Sequence, residues 1–247
     1  MDNDNKAVGI GSALIVVVIG AGIYMHKFAA TAPALVAPMA SPVEAPASPS
    51  GEPLPKLEES DGFIRLKAAP LSSAPLFAVW LKTDDLLPRF AAAINMIGQG
   101  KVPKDGLSFM GPHKKFKVQK KNGNFFADPA GYARYDAVSA TIGSLDAGAA
   151  ARLLQTYKPL FQAAYQGGGE QGDVQDAVVR AAQELLKTPV VAGPVPLKEK
   201  GLVYAYVDDS LEHLSSAQKQ LLRMGPKNQA TIQAKIREFT LALGSKQ

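Results

Sequence analysis

The segment from Leu214 to Leu243 reads LSSAQKQLLRMGPKNQATIQAKIREFTLAL, and its pattern decides the fold class. Ser215 or Ser216 can cap a helix, because a hydroxyl at that position accepts a backbone N–H of the first turn. Gly225-Pro226 predicts a sharp corner between this helix and the next. Beyond the corner, apolar residues recur at spacings of four, three and four, the period of one helix face: Ile232, Ile236, Phe239 and Leu243. The segment therefore predicts a helical hairpin.

Another helix is predicted after Thr83, which stands where a capping hydroxyl would be expected. Asp84 and Asp85 then lie at the positive end of the helix dipole, where carboxylates are favourable. Gly98 ends the helical pattern. The apolar positions of one face lie between these limits: Leu86, Leu87, Phe90, Ile94 and Ile97.

Three more helices are predicted between these two regions. Pro129 opens the first, since proline suits the opening turn of a helix. Asp146 opens the second, and Pro159 within it predicts a kink. The third runs from Asp173 and stops before Pro189, because proline disfavours helical backbone at the preceding residue.

Two short segments show β character instead. Residues 116–128 read FKVQKKNGNFFAD and place Asn122-Gly123 between two apolar runs, which is a strong hairpin signal. Residues 202–207, LVYAYV, are rich in β-branched and aromatic side chains. The chain is therefore predicted to be mostly α, in the α+β class. Residues 57–247 would form one α-helical globular domain with a small antiparallel β-hairpin.

The chain contains 247 residues and no cysteine, and its formal net charge is +5. Disulfides, thiolate metal sites and cysteine nucleophiles are thereby excluded. The absence of thiols suits an oxidising compartment such as a periplasm, although many cytosolic proteins also lack cysteine. The mild positive charge favours anionic partners without naming one.

Residues 7–25 read AVGIGSALIVVVIGAGIYM, a run of nineteen without a charge. As a helix this run would be about 30 Å long, the thickness of the hydrocarbon layer. We therefore expect a single transmembrane anchor within residues 1–30, in a bacterial inner membrane. A cleaved signal peptide is the alternative, but the start MDNDNK carries two aspartates and the apolar run is too long.

Residues 31–56, TAPALVAPMASPVEAPASPSGEPLPK, are rich in proline and alanine. Proline lacks a backbone donor and fixes its own φ, so neither helix nor sheet can run through this stretch. We expect a disordered linker whose extended reach is on the order of 80 Å. The domain beyond it is expected to face the periplasm, although Lys6 and Lys27 nearly balance across the anchor.

Common catalytic patterns are missing from the sequence. The histidines have no partners at metal-ligand spacing: His26, His113 and His213. Residues 98–101, GQGK, resemble part of a phosphate loop, but Val102 stands where serine or threonine is needed. Asp84-Asp85 and Asp208-Asp209 are best explained as helix-start residues. No catalytic residue, metal or cofactor is therefore predicted, and nucleic acid is not an expected partner.

The hairpin segment is strongly basic and is the candidate binding site. Its lysines would form an anion-binding edge for phospholipid headgroups or the anionic groups of a wall polymer: Lys114, Lys115, Lys117, Lys120 and Lys121. Phe116 and Val118 interleave with them and are predicted to face the core. The alternative is a solvated strand whose lysines prevent edge-to-edge pairing.

Several stretches resemble the bacterial domain-of-unknown-function 3014 family. They are ESDGFIR at 59–65, WLKTDDLLPRF at 80–90, GKVP at 100–103, DPAGYARYD at 128–136, YKPLFQAAY at 157–165 and LSSAQKQLLRMGPKN at 214–228. Together they span nearly all of residues 57–247, and the last is the most specific. The resemblance implies the layout of anchor, Pro/Ala-rich linker and soluble domain. It implies no activity and transfers no catalytic residue.

Function is expected to lie in binding rather than in catalysis. We expect a non-enzymatic envelope protein whose tethered domain binds another envelope protein or a wall polymer. A hydrolase with a dispersed carboxylate site is the alternative. A deep pocket with converging acidic residues would favour the hydrolase, and a shallow apolar or basic groove would favour binding.

Overall fold

The fold is taken from a computed structural model, which describes residues 51–103, 116–201 and 203–244. These residues are mostly helical and include one small four-stranded antiparallel sheet. Within these ranges no helix is both long enough and apolar enough to cross a membrane. The predicted anchor and the linker up to residue 50 lie outside the described residues.

The described part of the chain contains ten α-helices. They are α1 (Ser60–Ala68), α2 (Pro75–Trp80), α3 (Leu86–Gly98), α4 (Asp136–Gly143), α5 (Ala147–Thr156), α6 (Lys158–Gly167), α7 (Val174–Leu186), α8 (Asp209–Glu212), α9 (Ser216–Leu222) and α10 (Pro226–Gly244). Short 3-10 turns occur at Leu57–Glu59, Ala69–Leu71 and Pro129–Tyr135. The strands are β1 (Val118–Lys121), β2 (Asn124–Ala127), β3 (Pro196–Lys200) and β4 (Val203–Tyr206).

The larger hydrophobic core lies among the helices. α3 packs against α6 and α7, while α10 packs against α4, α5 and α7. α3 lies close to α7 at Gly98, where a Cβ would be in ordinary van der Waals contact with the backbone nitrogen of Ala181, at 3.6 Å. The fully buried residues at the centre of this core come from both helices and from α9: Ile94, Ile97, Val178, Ala181 and Leu221.

A second, smaller core lies beneath one face of the sheet, whose strand order is β1-β2-β3-β4. The register pairs Phe125 with Leu197 and Leu197 with Tyr206, so these three side chains share a face. That face covers an apolar cluster that also contains Leu211 and Leu222. The other face of the sheet is therefore turned away from both cores.

Most of the local predictions are confirmed. Asn122 and Gly123 form the hairpin turn with φ of +50° and +81°, and β1 pairs with β2 in the expected antiparallel register. Ser215 caps α9, where its side chain and that of Gln218 form a capping box. Gly225 makes the corner before α10 with φ of +84°.

The prediction that Thr83 caps α3 was wrong. The cap position belongs to Asp85, whose backbone is left-handed with φ of 57° and whose side chain makes no capping bond. Asp61 of α1 supplies the missing acceptor instead, because its carboxylate accepts the backbone N–H groups of Asp85 at 2.6 Å and Leu86 at 2.8 Å. A residue distant in sequence therefore caps this helix.

The predicted kink at Pro159 was also wrong. α5 ends at Thr156, and Tyr157 leaves the helical region with φ of −106° and ψ of 23°. Pro159 then lies in the first turn of the separate helix α6, where a missing backbone N–H costs nothing. Two helices therefore replace the single kinked one.

Packing against the helical body begins before residue 57, the predicted domain boundary. Leu54 is buried in the larger core. Glu52 accepts hydrogen bonds from Lys67 at 2.8 Å and from the hydroxyl of Tyr157 at 3.1 Å. The bond to Lys67 holds the pKa of Glu52 below its usual value, and Glu52 in turn raises the pKa of Lys67. The chain is thus attached to the body from residue 52 onward.

Candidate functional site

Charged side chains of α1 hold the turn that precedes α3. Arg65 donates from Nε to the carbonyl of Leu81 at 2.5 Å and from Nη2 to that of Thr83 at 3.3 Å. Together with the Asp61 cap, these bonds satisfy backbone groups of the 81–86 turn. Asp61 and Arg65 of the 59–65 segment therefore serve the fold.

Buried amides of α10 complete the C-terminal end of α7. Gln233 Nε2 donates to the carbonyls of Leu185 at 3.0 Å and Thr188 at 2.9 Å. Gln229 Nε2 donates to the carbonyls of Thr188 and Pro189, both at 3.0 Å. The last carbonyls of a helix have no donor within it, so these amides supply what α7 lacks.

Asn228 joins three further parts of the fold. Its Nδ2 donates to the carbonyls of Tyr132 and Met224 and to a carboxylate oxygen of Asp136, each at 3.0 Å. Its Oδ1 accepts from the hydroxyl of Ser139. The most specific part of the resemblance, residues 214–228, therefore ends in a structural polar network. Nothing in that network has the geometry of a nucleophile with a neighbouring base.

Arg89 in α3 is the most unusual buried charge. It is 6% exposed, and its Nε and Nη2 have no hydrogen-bond partner among the residues that the structure describes. Burial lowers the pKa of this guanidinium, while the carboxylates of Asp85, Asp84 and Asp61 act in the opposite direction. A guanidinium in this position is costly to the fold. It does not line the groove described below.

The outer face of the sheet carries lysines from both hairpins. Because strand residues alternate between faces, Lys121 of β1 and Lys198 and Lys200 of β3 lie on the side opposite the small core. Lys117 extends this face, since its carbonyl continues the β1–β2 ladder by accepting the N–H of Asp128 at 3.1 Å. The register separates Lys121 from Lys198 by two strand spacings, about 10 Å.

Carboxylates neutralise this face only in part. Lys198 lies 3.9 Å from Asp209, and Lys200 lies 3.7 Å from Glu212. Glu212 is shared, because Lys219 lies 3.4 Å from it and it accepts the backbone N–H of Tyr206 at 3.1 Å. Burial alone would raise the pKa of Glu212, but these partners hold that pKa below its usual value.

The other two lysines of this face, Lys117 and Lys121, are exposed, and within the described part of the chain neither has a carboxylate at ion-pair distance. The four lysines therefore outnumber the acidic groups that reach them. The outer face of the sheet keeps a positive charge that is available to an anion.

The lysines predicted from the sequence do not all lie on one face of the sheet. Lys117 and Lys121 lie on the outer face, whereas Lys120 lies on the opposite face with Nζ 5.1 Å from the ring centre of Phe125. Lys114 and Lys115 lie outside the described residues. Anion binding by these residues stays a prediction. Lys198 and Lys200 were not predicted from the sequence as site residues. Their strand, β3, reads PLKEK, and after its proline it has a single apolar residue, so it lacks the alternating pattern of a strand.

An open groove of about 450 Å³ lies between α3 and α6, with the Leu57–Glu59 turn beside it. Its volume falls within the range of protein sites that hold small ligands or a few side chains. Much of the lining is apolar. Small residues provide the space: Ala91, Ala92, Ala164, Gly167 and Gly168.

Two carboxylates, those of Glu58 and Glu170, also line the groove, and none of its lining residues is lysine, arginine or histidine. Glu58 is exposed on the turn before α1. Glu170 follows α6, and its Oε1 accepts a hydrogen bond from Nδ2 of Asn95 in α3. Tyr165 lines the buried side, and its hydroxyl accepts from Arg180 Nη2 at 3.3 Å. The groove is therefore apolar and negatively charged.

Across the described ranges, no three side chains of histidine, cysteine, aspartate or glutamate are grouped so as to hold a metal ion. The fold and its surfaces define a mostly helical α+β domain with one basic face and one acidic apolar groove. Residues 86–240 match the family described as protein of unknown function, DUF3014. The chain belongs to this family, and the resemblance seen in its sequence is confirmed. No curated protein and no solved structure matches the chain.

Proposed function

We propose that this protein is a non-enzymatic, membrane-tethered domain of the bacterial cell envelope that binds an anionic wall polymer. The observation that carries the proposal is the outer face of the sheet with its four exposed lysines: Lys117, Lys121, Lys198 and Lys200. Lys198 and Lys200 have carboxylate partners, but the nitrogen–oxygen distances are long for ion pairs, 3.9 Å to Asp209 and 3.7 Å to Glu212. The face is therefore set up for a ligand with repeated negative charge.

The spacing of the lysines supports a polymer rather than a single small anion. Lys198 and Lys200 project from the same strand about 7 Å apart, and Lys121 lies about 10 Å across the sheet from Lys198. A single phosphate or carboxylate cannot pair with all four lysines at once, because Lys117 lies about 13 Å along the strand from Lys121. Lysine ammonium groups on flexible stems suit a ligand that presents its charges at intervals without strict geometry.

The N-terminal sequence supports an envelope location. The uncharged run at residues 7–25 is long enough for an anchor, and the proline-rich linker can span on the order of 80 Å. A domain held at that distance reaches targets away from the bilayer while it remains attached to it. Binding to a wall polymer would use that reach.

The test is sedimentation of the full-length protein, in detergent, with purified sacculi. The variant replaces the four outer-face lysines by glutamine: Lys117→Gln, Lys121→Gln, Lys198→Gln and Lys200→Gln. We expect the apparent affinity to fall at least about tenfold, and binding by the unaltered protein to weaken as salt is added.

A matched control removes four exposed lysines elsewhere and thus has the same net charge: Lys56→Gln, Lys82→Gln, Lys187→Gln and Lys227→Gln. This variant should sediment like the unaltered protein. Equal loss in both variants would show a general charge effect and contradict a site on the sheet. Sedimentation with anionic vesicles but not with sacculi would replace the polymer by lipid headgroups.

A hydrolase acting on the wall polymer is the alternative, and one observation favours it. Glu58 and Glu170 line the same groove, and a pair of carboxylates is the usual machinery for cleaving glycosidic bonds. Release of soluble fragments from sacculi, abolished by Glu170→Gln, would replace binding by hydrolysis. Sacculi that stay intact while the protein sediments with them would support the binding role.

A further inference from the structure

The groove between α3 and α6 has the opposite charge to the rest of the protein. The chain carries a formal net charge of +5, yet the charged residues that line the groove are Glu58 and Glu170 alone. The basic outer face of the sheet is formed by other elements, β1 and β3, so the two surfaces are separate. A ligand attracted to this groove must carry positive charge, whereas the wall polymer proposed for the sheet is anionic.

The carboxylate of Glu170 is held in place by a chain of side chains from α3 and the residues after it. Lys101 Nζ donates to Gln99 Oε1 at 2.8 Å, and Gln99 Nε2 donates to Asn95 Oδ1 at 3.2 Å. Asn95 Nδ2 then donates to Oε1 of Glu170. The second oxygen, Oε2, has no hydrogen-bond partner among the described residues. Glu170 thus offers a pre-oriented acceptor to a ligand cation.

The remaining wall of the groove is suited to aliphatic side chains. Pro88, Ala92 and Met96 of α3 form one side, and the C-terminal end of α6 forms the other. Ala92 is exposed, so the groove opens to solvent along α3. Two helices with small residues between them form the kind of groove into which a partner segment inserts its apolar side chains.

We propose that this groove binds a peptide segment of a partner protein that carries aliphatic side chains flanked by lysine or arginine. The aliphatic side chains occupy the space between α3 and α6. A cationic side chain pairs with Glu170, and a second one with Glu58 at the open end. The domain would then bring a protein partner to the polymer held by the sheet.

Other occupants compete for the groove. The chain's own residues 31–50 are apolar in part, but they contain one glutamate and no lysine or arginine, so they do not match its charge. A second copy of the chain could insert the Lys120-Lys121 hairpin tip, which is exposed. Insertion by a second copy would make the protein self-associate, and this is measurable.

The experiment uses the full-length protein in nanodiscs of zwitterionic lipid, with the signal from empty nanodiscs subtracted. The probe is a fluorescently labelled twelve-residue peptide of alternating leucine and lysine, followed by anisotropy. A leucine–glutamate peptide and an all-lysine peptide of equal length serve as ligand controls. We expect the leucine–lysine peptide to bind at least about tenfold more tightly than either control.

Two variants locate the binding. Ala92→Trp fills the groove from its exposed side, and Glu170→Gln removes the charge without changing the shape of the side chain. We expect an affinity loss of about tenfold or more for the first and about threefold or more for the second. The matched controls are Ala234→Trp and Glu238→Gln on the exposed side of α10, which should bind like the unaltered protein.

The outcomes separate this proposal from the function proposed for the sheet. The variant without the four outer-face lysines should keep its peptide affinity, and Ala92→Trp should still sediment with sacculi. Unchanged peptide binding by both Ala92→Trp and Glu170→Gln overturns the proposal. Sedimentation equilibrium that shows a dimer in the unaltered protein and a monomer in Ala92→Trp would overturn it in favour of a second copy.

Discussion

In the helical body, Gln229 and Gln233 are buried and their side-chain amides donate hydrogen bonds to carbonyls at the end of α7. On the sheet, Lys121 and Lys198 are exposed. Lys198 lies 3.9 Å from Asp209, and Lys121 has no ion pair among the described residues. Both pairs are polar, but their energetic roles differ. Burying an amide without a partner is costly, so the glutamines are retained by the fold itself. An exposed lysine has no such constraint.

Function in this domain is expected on surfaces whose charged side chains the fold leaves exposed. The buried amides of Asn228, Gln229 and Gln233 in the helical body already donate to backbone carbonyls. The sheet face and the groove carry charges that the fold does not require. Changes in the body should therefore alter stability, and changes on the two surfaces should alter binding while stability stays nearly constant.

The largest expected effect comes from Gly225→Ala in the helical body. Gly225 has φ of +84°, and a Cβ there would lie 2.4 Å from Cγ of Tyr132. The left-handed backbone and the clash together should lower the free energy of unfolding by about 4 kcal/mol. Urea denaturation measures the loss.

Gly169→Ala is the matched control for that change. Gly169 also has φ of +84°, but a Cβ there would meet nothing within 4 Å. This variant should show only the backbone penalty of about 1–2 kcal/mol. Equal losses at the two glycines would mean that the contact with Tyr132 is not what restricts Gly225.

A smaller effect is expected from Gln233→Leu. The substitution removes one donor from each of the carbonyls of Leu185 and Thr188, which keep the N–H of Thr188 and Nε2 of Gln229 respectively. The free energy of unfolding should fall by about 1–2 kcal/mol, measured by urea denaturation. Gln183→Leu, on the exposed side of α7, is the control and should change it by less than about 0.5 kcal/mol. A similar loss in both variants would contradict the role given to the amide.

The smallest effect concerns the core beneath the sheet. Burial raises the pKa of Tyr206 from 10.0 to about 12. In the unfolded chain this phenol ionises near its ordinary pKa of 10.0, so ionisation favours the unfolded state at alkaline pH. The stability that the neutral phenol contributes is therefore fully present below pH 10.0 and is lost as the pH rises through about 12. Between about pH 9 and about pH 11 the unaltered protein should therefore lose about 1 kcal/mol more than Tyr206→Phe.

Tyr204→Phe is the control for that measurement, since Tyr204 is half-buried on the same face of β4. Burial also raises the pKa of Tyr132, but titration of absorbance at 295 nm should show the Tyr206 phenol as a late step near pH 12. That late step should disappear in Tyr206→Phe and persist in Tyr204→Phe. A late step present in both variants would place the protected phenol elsewhere.

Several turns and helix ends could be predicted from neighbouring residues alone. The capping box at Ser215 and Gln218, the Asn122-Gly123 turn and the corner at Gly225 each depend on backbone sterics and on bonds within a few residues. The same is true of the stop before Pro189. These features were predictable because the residues that decide them are neighbours in the chain.

Features that depend on partners distant in sequence could not be predicted from a local pattern. Asp61 replaces Thr83 as the cap of α3 because α1 packs beside that turn. β3 carries little apolar signal of its own, and only its pairing with β2 and β4 assigns Lys198 to the outer face. The groove likewise exists only because Ala92 and Gly167, distant in sequence, meet where α3 packs on α6. Burial and strand register depend on packing between segments that are distant in sequence, and a local sequence pattern does not reveal that packing.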